Sequence, residues 1–214
     1  MSGRTASSVP VPGSLISLFN PPADVEAKLA ADKGPCDNSR THIFNLTASA
    51  EMPQFAGTTA RRLASGWRLS GIFRATSGNM LSVNTGLDRS LNGVVPATQR
   101  ANAVLDNPYG DKTLSNWFNP AAFAQPAIGA TGNSGRNAYL GPGTRTVDLS
   151  LVRSFGLQNM HRIEARVEAF NALNWFIPGN PGINLSSGTT FGKITSFSTA
   201  ASPRVMQFAL RYLF

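Results

Sequence analysis

From Val205 to Phe214 the chain alternates without a break: Met206, Phe208, Leu210, Tyr212 and Phe214 share one side of an extended backbone, and Val205, Gln207, Ala209, Arg211 and Leu213 share the other. A period of two is what a strand with two unlike faces requires, because successive side chains point to opposite sides. Four more segments repeat it. Ile163, Ala165, Val167 and Ala169 alternate with Arg162, Glu164, Arg166 and Glu168. Val147, Leu149, Leu151 and Phe155 alternate with Asp148, Ser150, Val152 and Ser154. Trp67, Leu69, Gly71, Phe73 and Ala75 oppose Arg68, Ser70, Ile72, Arg74 and Thr76. Phe44, Leu46, Ala48, Ala50 and Met52 oppose Asn45, Thr47, Ser49 and Glu51.

Each segment has roughly the 9–11 residues with which a tilted strand crosses a bilayer. One face is apolar, and the other carries charges that a packed core would not accept unpaired. A soluble sandwich also alternates, but with shorter strands and an apolar face turned to a second sheet. Length and charge therefore predict an all-β fold: an open antiparallel meander of about five long strands, part of a transmembrane β-barrel. Arg153 interrupts an apolar face near a strand end, where a long side chain can snorkel to head groups.

The connections argue for the same arrangement. Read back from the C-terminus they run long (Trp175–Pro203), short (Gly156–Met160), long (Gly78–Thr144) and short (Pro53–Ser65). Membrane barrels place short turns in the periplasm and long loops outside, so both long connections are expected to be extracellular. Trp67, Phe155, Tyr212 and Phe214 then fall at the periplasmic rim, and Trp175 and Phe176 beyond the outer end of their strand, as aromatic girdles require. Residues 1–40 read as a loop segment, with a short helix over Pro21–Gly34 capped by Asp24 and Gly34. Residues 41–214 read as barrel.

Composition fits short strands and polar loops: 20 Gly, 14 Pro and only 14% charged residues. The net charge of +8 is spread along the chain, with Arg61-Arg62 as its one adjacent Arg pair. Such a distribution reads first as a solvated surface of mixed sign, then as contact with anionic lipid head groups, and last as a nucleic-acid surface. Cys36 stands alone and His42 and His161 lie far apart, so no metal or cofactor site is expected. Asp148, Glu164 and Glu168 could be paired carboxylates, yet a charge ladder facing a watery lumen explains them more simply. Gly141-Pro142-Gly143 reads as a turn rather than a phosphate loop. No Gly-x-Ser-x-Gly elbow lies near a His, so no enzyme is expected. No apolar run reaches the roughly 20 residues of a spanning helix. Met1-Ser2-Gly3-Arg4-Thr5 is not followed by the apolar core of a secretory signal, so export is expected to depend on sequence upstream.

Trp117, Phe118 and Phe123 sit in the longest connection. They are candidate ligand contacts, because exposed aromatics stack on sugars or peptides, or else they pin the loop in place.

The run from Arg204 to Phe214 resembles the terminal strand of bacterial outer-membrane proteins, which commonly ends in Phe after alternating apolar residues. That resemblance implies that Phe208, Leu210, Tyr212 and Phe214 form the signal read by the barrel-assembly machinery. More narrowly, residues from about 36 to 214 are similar to the end of TonB-dependent receptor-like proteins of the Oar-like group, which carry an N-terminal carboxypeptidase-regulatory-like domain. The matching stretches are Gly66–Ile72, Asn116–Phe123, Gly132–Asn137, Val147–Leu151 and Glu168–Asn174. The resemblance implies a cell-outer-membrane protein of substrate uptake or surface binding, with outer-membrane lipid as surroundings. The regulatory-like domain, plug and TonB-contacting segment would lie upstream, so these strands alone are not competent for TonB-coupled transport. A soluble β-sandwich binding or adhesin module is the alternative.

Overall fold

A computed structural model describes residues 30, 32–53, 55–59, 64–93, 98–157, 161–198 and 202–214. The helix expected over Pro21–Gly34 lies for the most part outside the described residues. In chain order the strands are β1 (Ile43–Glu51), β2 (Trp67–Thr76), β3 (Met80–Leu81), β4 (Asn102–Ala103), β5 (Tyr109–Thr113), β6 (Asn116–Phe118), β7 (Phe123–Ala124), β8 (Tyr139–Leu140), β9 (Thr144–Gly156), β10 (Arg162–Phe170) and β11 (Val205–Leu213). The five long ones form a single antiparallel sheet in the order β1-β2-β9-β10-β11. They are the five strands expected from alternation, with ends displaced by no more than a residue or two. No helix among the described residues is long and apolar enough to cross a membrane.

Register decides what such a sheet is for, because a slip of one residue would turn a strand's apolar set to the other face. Here none slips. Leu69 stands opposite Ala50 on one side and Leu151 on the other, and Leu151 opposite Val167, which faces Phe208. Every apolar row is thus collected on one face. The other face is stitched by polar pairs across strands: Arg68 Nε to Glu51 Oε1 at 2.7 Å, Ser49 to Ser70 at 3.0 Å, and Thr76 to Thr144 at 2.7 Å. On β10, Arg166 lies between Glu164 (3.1 Å) and Glu168 (3.5 Å), an ion-pair ladder along one strand.

The chain divides into two compact units. The sheet belongs to the one spanning Thr41–Ser77, Gly143–Pro178 and Phe197–Phe214; the other draws on described residues within Met1–Arg40, Gly78–Pro142 and Gly179–Ser196. The second unit is therefore built from the two long connections together with residues that precede β1. It has a core of its own. Leu81, Val83, Ala101, Phe118, Ala122, Phe123, Tyr139 and Phe191 are buried together, and the two-stranded pairs β3–β8, β4–β7 and β5–β6 satisfy backbone groups around them. Phe118 is its centre, with the rings of Tyr109, Phe123, Tyr139 and Phe191 all within 6.4 Å of it. Four aromatic rings meeting one buried ring supply the apolar area that orders a long connection.

Candidate functional site

The apolar face of the sheet is left open, as it is not in a soluble protein. On β11, Phe208 is 71% and Leu210 77% exposed, with no second sheet over them among the described residues. On β9 the apolar Leu149, Leu151 and Phe155 are exposed, whereas Thr146, Asp148, Ser150 and Ser154 opposite them are half-buried. A contiguous apolar surface of this size is not left in water by a monomeric soluble domain.

Aromatic side chains gather at the strand ends. At the end with short connections the Arg153 guanidinium lies 4.8 Å from the Trp67 ring centre and 4.5 Å from that of Phe155. Tyr212 stacks on His161 and on Phe214, and its hydroxyl is 3.0 Å from His161 Nδ1. At the opposite end Trp175 packs edge-on against Phe73 and takes the Arg145 guanidinium on its face at 4.6 Å. The interruption of the apolar row at Arg153 is thus an arginine held between two rings.

Within the other unit lies a polar pocket of about 370 Å³. Its lining includes five asparagines, Arg100, Arg136 and Asp37. Arg100 is buried and paired with Asp32 at 3.2 Å, so its charge is neutralised in place. Asn137 forms one wall. Its backbone N–H donates to Ser82 Oγ at 2.8 Å, and its side-chain amide donates to the Pro35 carbonyl at 2.8 Å and to Asp37 Oδ1 at 2.5 Å. A second knot centres on Gln99, which is buried. It donates to Asp88 Oδ1 at 2.6 Å and accepts from the backbone of Arg89 and Ser90. That hydrogen bond from Gln99, helped by the backbone N–H groups of Gly93, Asn92 and Leu91, holds the Asp88 carboxyl below its usual pKa of 3.8. Burial pushes the Tyr139 phenol up.

The family model of the outer membrane beta barrel domain matches residues 13–207. The chain belongs to this outer membrane beta barrel family. No curated protein matches it, and no solved structure does. In an outer-membrane barrel the exposed apolar face meets lipid, the polar face lines the lumen, and short connections lie on the periplasmic side.

The residues singled out from sequence fall into two places in this barrel protein. Phe208, Leu210 and Tyr212 stand in one outward row on β11, an edge strand, and Phe214 follows it at 97% exposure. Phe118 and Phe123 lie in the core of the loop unit, where their rings meet protein on all sides. Trp117 is half-buried beside them, with its indole N–H donating to the Leu140 carbonyl at 3.2 Å. These three hold the long connection together. The Asn116–Phe123 stretch does so compactly: Asn119 Oδ1 accepts from the Ala121 N–H at 3.0 Å and caps the short 3-10 turn Pro120–Ala122.

Sequence reasoning missed the asparagines. Asn137 and Asn171 have φ of 48° and 46°, in the left-handed region that Asn tolerates better than most residues. Both are buried. Their signal was their place within the resembling stretches Gly132–Asn137 and Glu168–Asn174. Gly132 shows why its stretch needs those residues: a Cβ there would stand 2.0 Å from the Arg100 carbonyl oxygen.

Proposed function

We propose that this chain supplies C-terminal strands of a TonB-dependent receptor-like barrel, with the unit built from the two long connections and residues before β1 as its substrate-binding head at the cell surface. The observation that carries this reading is the amide-rich pocket of about 370 Å³ within that unit. Pockets of roughly 300–1,000 Å³ with convergent polar groups are what small-ligand sites look like, and loops held on a rigid scaffold are where binding varies. The resemblance in Asn116–Phe123, Gly132–Asn137 and Glu168–Asn174 supports the same assignment. Energy coupling belongs to a plug and a TonB-contacting segment, not to these strands. On this reading the chain is no enzyme: Glu164 and Glu168 serve Arg166 as lumen-facing ion pairs. Its partners are outer-membrane lipid and the barrel-assembly machinery, which reads Phe208, Leu210, Tyr212 and Phe214, and no nucleic acid is among them.

Cys36 gives a direct test, being the chain's one cysteine, exposed, and within the loop unit. A membrane-impermeant maleimide is expected to label it on intact cells. Labelling that appears only after the outer membrane is permeabilised would place the unit in the periplasm and end the proposal.

A further inference from the structure

The outward face is not evenly filled. Beside the short connections lies a hollow of about 450 Å³, lined by Ala50, Met52, Ala64, Trp67, Leu69 and Leu151, with Glu51 the one charged residue at its border among the described residues. It exists because small side chains stand where neighbours are large: Ala50 faces Leu69 across the strand pair, and Leu69 faces Leu151. Glu51 belongs to the opposite face and is held by Arg68 at 2.7 Å, so it brings no free negative charge to the hollow.

A cation stands next to it. The Trp67 ring that walls the hollow also carries the Arg153 guanidinium at 4.8 Å, on the same outward face. Neither the connection from Met52 to Gly66 nor that from Leu157 to His161 contains an Asp or Glu. An apolar slot at membrane depth below an outward cation at the interface is complementary to one kind of molecule, an amphiphile with a greasy chain and an anionic head.

We infer that this hollow is a binding site for an anionic phospholipid, an acyl chain lying against Ala50, Trp67, Leu69 and Leu151 and the phosphate at Arg153. The inference rests on the barrel's lipid-facing surface and is independent of the receptor role proposed above. Arg153 suits the task for a physical reason. Its planar guanidinium presents several N–H donors at once, so it can stack on the two rings and still donate to phosphate oxygens.

Trp67 reports occupancy directly. With Trp117→Phe and Trp175→Phe it becomes the sole indole of the full chain, which is assembled into phosphatidylcholine vesicles. Emission is followed as brominated phosphatidylglycerol or brominated phosphatidylcholine is added at equal mole fraction. The anionic lipid is expected to quench at about fivefold lower mole fraction, the preference one basic residue near the surface provides. Arg153→Gln should erase that preference and Arg153→Lys, which keeps the charge but not the stacked fork, should keep only part of it. Ala50→Phe, which fills the hollow and leaves the rim charge in place, should weaken quenching by both lipids. Equal quenching by the two lipids before any change at Arg153, or a preference that survives Arg153→Gln, overturns the site while leaving the membrane orientation intact. Absence of quenching by either lipid overturns both.

Discussion

Asn171 shows how much of the sheet's upper edge depends on one side chain. Its N–H donates to Asp148 Oδ1 at 2.9 Å, its amide to the Trp175 carbonyl at 2.9 Å and the Ser202 carbonyl at 3.3 Å, and its Oδ1 accepts from the Trp175 N–H at 3.0 Å. It thereby ties β9, the turn after β10 and the approach to β11, at a left-handed φ of 46°. Two costs can be separated by substitution. Asn171→Gly keeps the backbone geometry and loses the amide's bonds, whereas Asn171→Ala loses the bonds and adds left-handed strain of about 1–2 kcal/mol. Urea unfolding in lipid vesicles should rank the variants Asn171, then Gly, then Ala, with about 2–4 kcal/mol between first and last. Equal stability of the Gly and Ala variants would show that the left-handed turn carries no strain.

At the scale of the strand the prediction concerns faces. Leu149 and Ser150 are neighbours near the middle of β9, one outward and apolar, one on the lumen side. Leu149→Arg should cost about 2–4 kcal/mol, the penalty of a lipid-facing arginine at the bilayer midplane. Ser150→Arg should cost far less, because water reaches it. Folded fractions in vesicles, read from the shift in gel mobility on heating, distinguish the two; equal losses would mean that the apolar face does not meet lipid. These faces were legible in the sequence because alternation runs over nine or more residues in each long strand, and five consistent phases can hardly be paired out of register. The same logic explains what was not legible. The pairs β3–β8 and β4–β7 are two residues long, too short for any period to show. The loop core is likewise drawn from separate stretches around Leu81, Ala101, Phe118, Tyr139 and Phe191, whose meeting no local pattern announces. Of the site, the aromatic rim could be read residue by residue, since Trp67, Phe155 and Tyr212 sit at predicted strand ends. The pocket asparagines could not, because an amide in a polar loop looks like any other.

Taken whole, the chain meets two solvents with two opposite solutions. Its sheet leaves apolar residues outside and polar ones inside, which is stable only where lipid replaces water. Its other unit buries aromatics and surrounds them with amides and backbone pairs, the arrangement water demands. Stability in the two therefore has different sources, and a change in one core should not be felt equally by the other. Phe118→Ala is the sharpest case: the residue is fully buried and removes a ring touched by four others. Its loss should cost the loop unit about 3–5 kcal/mol, enough to open a marginally stable domain. Hydrogen exchange of the full chain in vesicles, followed peptide by peptide, is expected to show protection falling across Gly78–Pro142 while β2, β9 and β10 keep theirs, since their amides are paired within the sheet and shielded by lipid. If protection of the three strands fell in parallel, the sheet would depend on the aqueous core, and lipid could not be the solvent that holds it.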